Sequence, residues 1–399
     1  MKTQKLIAIE DQYGAHNYHP LDLVIARAEG VWVEDVEGNR YMDFLAAYSA
    51  VNQGHCHPRI LKALKKQAAK VTLTSRAFRN DQLPLFCQEL CELTGFPKVL
   101  PMNSGAEAVE TALKAARKWG EKVKGIARDQ AEIIVCADNF HGRTTTIVGF
   151  STEEQYKDGF GPFTPGFKVI PYGDAAALEA AMTPNTAAFI VEPIQGEAGI
   201  KVPAEGFLKQ AAGICKRHRA LFICDEIQSG LGRTGKLFAY QWEGVQPDGV
   251  IVGKALSGGF YPVSAFLSSE EVMAVFHPGD HGSTFGGNPL GMAVAREALR
   301  VLVEEKLTEN SAKLGPWFIE ELQKIKSPSI VQVRGRGLWV GIVLDRKARP
   351  YCEELMKEGM LCKETHETVI RLAPPLVITK KELRMALRRI EKVFKRLDG

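Results

Sequence analysis

Several short segments of the chain carry residues whose types and spacing suit chemistry. In PMNSGAEAVETALKAAR (101–117), Ser104 and Glu107 make the S-x-x-E pattern of a capping box just after an apolar run. Gly105 and Ala106 follow that Ser. Free backbone N–H groups and the positive end of a helix dipole would meet there and bind an anion such as phosphate. The same pattern also serves a plain, well-capped helix. In ALFICDEIQSGLGRTGK (220–236), Asp225 ends an apolar run, where parallel α/β sheets present groups to ligands. A carboxylate there can hold a protonated ring nitrogen, and Gln228 lies three residues on. Gly230 to Lys236 also fits the phosphate loop G-x-x-x-x-G-K, but Leu237 stands where Mg²⁺ needs Ser or Thr. That disfavours a P-loop ATPase.

In DGVIVGKALSGGF (248–260), Lys254 ends a buried-looking strand. A desolvated Lys has a lowered pKa and condenses readily with carbonyl groups; the plainer alternative is a side chain reaching past the sheet edge to water. In NFHGRT (139–144), Phe140 can stack on a flat ring and Arg143 can fork onto a carboxylate, or they are a packed aromatic and a surface Arg. VEPIQGEAG (191–199) holds Glu197 in a Gly-flanked loop, and VIRLAPP (369–375) holds Arg371 as an isolated charge in an apolar run. HGSTFGGNP (281–289) sets Ser283 and Thr284 among glycines, which suits an anion site or a tight loop. No metal is expected, because His55-Cys56-His57 and the pair Cys87/Cys91 lack partners at zinc-like spacings. No G-x-S-x-G elbow occurs. Gly335-Arg336-Gly337 is not a complete G-x-G-x-x-G, since Val340 stands where the third Gly belongs.

Residues this far apart need a frame. The runs KVLPMN (98–103), EIIVCAD (132–138), AAFIVEPI (187–194), ALFICDE (220–226), DGVIVGK (248–254) and VSAFLSS (263–269) are apolar without alternation. Strands covered on both faces read this way. Helix-length patterns lie between several of them, so an α/β fold with a mostly parallel mixed sheet is expected. VWVEDVEGNRYMDF reads as a hairpin about Glu37-Gly38-Asn39. Toward the end come helices at about 286–305 and 309–325, strand-like VRGRGLWVGIVL and VIRLAPPLVI, and a basic amphipathic helix from Lys380. The expected division is an N-terminal segment over 1–50 contributing to a small domain and to the pocket, a large ligand-binding domain over 51–290, and a smaller α+β domain over 291–399.

Composition narrows the partners. The chain has 399 residues, with 51 Lys+Arg against 47 Asp+Glu. That balance speaks against a nucleic-acid binder or an acidic tail. Its length supports a core without disulfides, and eight scattered Cys suit a reducing cytoplasm. The start shows neither a secretory nor a mitochondrial signal, and no apolar run approaches a membrane span.

Taken together, the segments make one device: a phosphate cradle, an aromatic stacker, a strand-end Asp, and a Lys 29 residues after it. That is what pyridoxal 5′-phosphate requires. The chain resembles the class III (subgroup II) aminotransferases of fold type I from end to end. The resemblance is carried by GAHNYHPL (14–21), YSAVNQGHCHP (48–58), VEPIQGEAG, DEIQSGLGRTG, GKALSGG, HGSTFGGNPL and RLAPPL. The first two of these are similar to the ornithine-using branch. Where members often carry a bulkier aromatic, this chain has His141.

The resemblance implies that Lys254 binds the cofactor covalently and then moves a proton. It implies Asp225 on the ring nitrogen, Gln228 on the ring hydroxyl, and Phe140 stacked with His141 beside it. Ser104, Gly105 and Ala106 would hold the phosphate. Ser283 and Thr284 would also bind the cofactor, Thr284 that of the neighbouring subunit, which implies a homodimer with its sites at the interface. Arg143 would grip the α-carboxylate of ornithine, with Tyr18 and Tyr48 bounding the pocket. Glu197 would pair with Arg371 until 2-oxoglutarate claims it. Acetylornithine and 4-aminobutyrate are the alternative amino donors within the family.

Overall fold

A computed structural model describes residues 2–399. Its centre is a seven-stranded sheet of β1 (Lys98–Met102), β2 (Glu132–Cys136), β3 (Phe167–Ile170), β4 (Thr186–Val191), β5 (Leu221–Asp225), β6 (Gly249–Val252) and β7 (Ser264–Ser268). Their order across the sheet is β1-β7-β6-β5-β4-β2-β3. β2 to β6 run parallel to one another. β7 runs antiparallel to both β6 and β1, so β1 points the same way as the rest. This is a doubly covered α/β sheet of the type I arrangement.

The unalternated apolar runs follow from burial on both faces. In β4, β5, β6 and β7 every residue is buried. Successive side chains enter opposite cores. Ile133, Val135, Ile190, Ile223 and Ile251 pack with the helix Gly105–Trp119. Ile134, Phe189, Phe222, Val250 and Leu267 pack with the helices Phe207–Arg217 and Pro289–Glu304. β3 is a short edge strand, part exposed, and its FKVI run is too brief to stand out in the sequence. The other edge, β1, carries Pro101, which a central strand would not tolerate.

Two smaller sheets flank this one. The hairpin of Trp32–Asp35 and Arg40–Asp43 is present, joined on one side by Ile25–Glu29 and on the other by Met360–Leu361. Its turn is tied by the Asp35 carboxylate, which accepts from the Glu37 and Asn39 N–H groups, both at 2.9 Å. The second small sheet runs Ile330–Gly335, Val340–Leu344, Val369–Leu372 and Lys363–Thr365, all antiparallel. Only the first half of VIRLAPPLVI is strand, because Pro374-Pro375 ends it. The basic helix Lys380–Asp398 begins on a capping box of Thr379 and Glu382.

One segment defies local preference. Ala46, Ala47, Tyr48 and Ser49 have φ of 48, 47, 59 and 72°. That is a left-handed turn of non-glycine residues, which costs roughly 1–2 kcal/mol per residue. All eight Cys are free thiols. Among the described residues no helix is long and apolar enough to cross a membrane.

Candidate active site

The carboxyl ends of β4, β5 and β6 open onto a cavity of about 160 Å³. β5 ends on Asp225 at its floor, and Lys254 follows β6 by two residues. Lys254 has φ of 45°, a left-handed conformation rarely held by a residue with a side chain. Burial draws its pKa below the usual Lys value, against the opposing pull of Glu197. The loop after β2 brings Phe140 and His141 to the wall. The buried His141 Nδ1 meets Asp225 Oδ2 at 2.6 Å. Burial alone would lower the His141 pKa, but the hydrogen bond and charge of Asp225 outweigh it and raise it. The other Asp225 oxygen accepts from the Ile227 N–H at 3.0 Å.

The segment expected to bind an anion lies at one end of this cavity. Ser104 caps the helix Gly105–Trp119, and both halves of its capping box are present. Glu107 takes the N–H groups of Asn103 and Ser104, at 2.9 and 2.8 Å. Gly105 and Ala106, as the opening helical residues, have no carbonyl one turn back to bond. Both line the cavity. A Cβ on Gly105 would come within 3.0 Å of Ile227 Cδ1, so the narrow wall there suits Gly. A capped helix start, an aromatic face, a strand-end carboxylate and an amine therefore share one cavity. His141 Nε2 is buried against it without a partner. The donor set fits pyridoxal phosphate.

A second constellation adjoins the first. Arg371 is fully buried and donates from Nη1 to Glu197 Oε1 and from Nη2 to Gln228 Oε1, each at 2.9 Å. Gln228 Nε2 closes the ring to Glu197 Oε1 at 3.2 Å. Tyr48 and Trp339 cover the guanidinium, with ring centres 5.1 and 5.5 Å from Cζ. Burial raises the Glu197 pKa, yet the charges of Arg371 and Lys254 and its hydrogen bonds bring it below the ordinary carboxylate value. Glu197 therefore faces the Arg371 guanidinium as a carboxylate at neutral pH. Gly196 permits this closeness, since a Cβ there would lie 2.6 Å from both Gln228 Oε1 and Trp339 Cζ2.

Arg143 is exposed and lies over the Tyr156 ring, 3.7 Å from its centre. Among the described residues it has no carboxylate partner. Tyr18 is 75% exposed and shares a mostly apolar hollow of about 430 Å³ with Tyr48, outside the cofactor cavity. Ser283 accepts from Asn103 Nδ2 at 2.7 Å, just before the cap. Thr284 is exposed and does not line the cavity of its own chain. Gly230–Lys236 is a run of turns and bends, not a loop from strand to helix.

Some residues here carried no separate signal in the sequence. Glu192 is buried in the cavity wall and accepts the Phe140 N–H at 3.0 Å. Burial pushes its carboxyl up to about 8. It sits at the end of the β4 run, where an acid after buried Ile190-Val191 was the available clue. Tyr156 and Trp339 come from a polar loop and a hairpin, and only their aromatic type hinted at use.

Comparison with known proteins agrees with this geometry. Residues 13–394 match the family described as Aminotransferase class-III. The chain is 62% identical to the ornithine aminotransferase of Geobacillus sp. (strain WCH70), covering 98% of this chain and 99% of that one. It is 60% identical to the ornithine aminotransferase of Bacillus subtilis (strain 168), over 99% and 98%. Among solved structures, the ornithine aminotransferase of Toxoplasma gondii, with partial occupancy of PLP at its active site, superposes with a TM-score of 0.98 at 47% identity. That match covers 99% of this chain and 94% of the other. The acetylornithine aminotransferase of Elizabethkingia anophelis gives 0.91 at 52% identity, over 99% of each chain.

Proposed function

The chain belongs to the class-III aminotransferase family, and on that premise we propose that it moves the distal amino group of L-ornithine to 2-oxoglutarate. The products are L-glutamate and L-glutamate 5-semialdehyde, which closes to pyrroline-5-carboxylate with loss of water. Pyridoxal 5′-phosphate is the cofactor of this family. When bound, it supplies an electron sink for the pair left behind as the amine-bearing carbon loses its proton.

The residues then divide the work. Ser104, Gly105 and Ala106 hold the phosphate. Phe140 covers one ring face. Asp225, braced by His141, holds the proton on the ring nitrogen. Gln228 faces the ring hydroxyl from within the Arg371 ring of hydrogen bonds. Lys254 Nζ would anchor the cofactor and would serve as the amine base that moves a proton to and from the substrate carbon. Its lowered pKa favours the neutral amine that a base must be. Thr284 belongs to the site of a second subunit, and the working unit is a homodimer of the cytoplasm.

The observation that carries the ornithine reading is the closed pair of Glu197 and Arg371 beside an unpaired Arg143. A free Arg371 would seize the carboxylate next to the α-amine and present that amine. Neutralised by Glu197, it lets ornithine enter reversed, with its carboxylate on Arg143 and its distal amine at the cofactor. Tyr18 and Tyr48 border the entry. 2-Oxoglutarate carries two carboxylates and needs both arginines, so the pair must open for it.

The test is a comparison of kcat/KM for ornithine, acetylornithine and 4-aminobutyrate with 2-oxoglutarate as acceptor. Ornithine is expected to lead. Acetylornithine ahead of ornithine would move the assignment to the chemistry named for the Elizabethkingia protein, whose 52% identity keeps that donor in the comparison.

A further inference from the structure

We propose that Tyr156 is a positioning residue for the carboxylate grip: its ring holds the Arg143 guanidinium flat, so that the donor edge stays free for substrate. This rests on the ornithine reading above. Arg143 Cζ lies 3.7 Å from the Tyr156 ring centre, a van der Waals separation that fits a flat stack. Phe140 flanks the same guanidinium at 5.5 Å and meets Tyr156 edge-on, with centres 6.1 Å apart and planes at 79°. A stacked guanidinium is held through its face, while its N–H donors radiate in plane and remain available for a bidentate carboxylate.

The neighbouring acids do not compete. Glu110 accepts from Thr144 Oγ1 at 2.5 Å, beside Arg143 in sequence, and makes no ion pair with Arg143. Glu197 is committed to Arg371. The two arginines are thus prepared in opposite ways: Arg371 is silenced by a carboxylate, and Arg143 is steadied by a ring that leaves its charge unspent.

Tyr156 can do this because its loop is tied down. It ends a short 3₁₀ turn, Glu154–Tyr156, with its N–H on the Glu153 carbonyl at 3.1 Å. Upstream, the Asp138 N–H donates to Thr152 Oγ1 at 2.8 Å, and Lys201 pairs with Asp138 at 2.7 Å. Downstream, Thr146 and Thr164 hydroxyls meet at 3.0 Å.

The test compares the holoenzyme with Tyr156→Leu and Tyr156→Phe. Leu removes the π face; Phe keeps it and removes the hydroxyl. Tyr156→Leu should raise KM for ornithine and for 2-oxoglutarate together, by roughly 3- to 10-fold, with kcat changed less than about twofold. Tyr156→Phe should stay within about twofold of the parent on both. The cofactor absorbance and melting temperature report whether the fold is intact. Unchanged KM values in Tyr156→Leu, a fall confined to kcat, or an equal loss in Tyr156→Phe would each overturn the proposal. If ornithine is not a substrate of the parent enzyme, the ornithine reading fails by itself. The 2-oxoglutarate KM with the donor that does react then still decides the role of Tyr156.

Discussion

Replacing Glu197 by Gln should change which amino group of ornithine reacts. The substitution keeps the size of the side chain and removes its charge. Arg371 would be left fully buried, with Gln228 Oε1 at 2.9 Å as its remaining strong acceptor and its Nε already unpartnered. A charge-assisted hydrogen bond contributes about 1.5–3 kcal/mol, or roughly 10- to 150-fold in an equilibrium. The carboxylate of a substrate can recover that amount by replacing Glu197. 2-Oxoglutarate no longer has a pair to open, so its KM should fall by a factor within that range. Ornithine should now also bind with its α-carboxylate on Arg371 and its α-amine at the cofactor. Single-turnover reactions followed by NMR distinguish the cyclised products, pyrroline-5-carboxylate from the distal amine and pyrroline-2-carboxylate from the α-amine. The second should rise from trace to a substantial share. An unchanged product, together with a 2-oxoglutarate KM within about twofold of the parent, would refute the argument that Glu197 silences Arg371.

Other outcomes follow from the same geometry. Lys254→Ala should abolish turnover and covalent cofactor retention, read by absorbance after gel filtration. Lys254→Gly should lose the same activity yet unfold later in urea than the Ala variant by about 1 kcal/mol, because Gly holds a φ of 45° without strain. Ser104→Ala breaks the capping box and should cost about 1 kcal/mol of stability while weakening cofactor binding in fluorescence titration. Glu192 has its carboxyl raised to about 8, against a value near 4.5 in the unfolded chain. Between those values the unfolded state gives up its proton first, so this group lowers stability progressively as pH rises through that window. Glu192→Gln removes the penalty. Urea unfolding should show the variant gaining about 2–4 kcal/mol on the parent by pH 9, with little difference at pH 4.5; a gap independent of pH would contradict it.

The parts of the fold that could be read from sequence are those where burial leaves a one-dimensional trace. β4 to β7 are covered on both faces and appear as unbroken apolar runs, with Asp225 and Lys254 marking where the runs meet the site. Arg371 stood out because a lone charge inside VIRLA must be buried or paired, and it is both. The capping box was legible through the Ser104–Glu107 spacing. β3 left no such trace, since a short edge strand keeps part of each face wet. Glu192 looked like an ordinary polar strand end, and its elevated carboxyl depends on burial and on the nearby charge of Asp225, neither of which a local sequence window shows. The left-handed turn at Ala46–Ser49 has no glycine to announce it, and it carries Tyr48 over Arg371. The pairing of Arg143 with Tyr156 joins residues from different loops, which no spacing rule links.

The sheet order has a consequence for how the chain is made. β1 finds its hydrogen-bonding neighbour in β7, so residues up to 102 wait for residue 264 before that edge of the sheet can close. The interval is 264 − 102 = 162 residues. At a synthesis rate of about 5–20 residues per second, this is roughly 10–30 s on the ribosome. During that time β1 has an unpaired edge, and the capped helix start behind it has no amine opposite. β7 is complete by residue 268, whereas Arg371 emerges about a hundred residues later. A nascent chain thus holds both Asp225 and Lys254 well before it holds the arginine that pairs with Glu197.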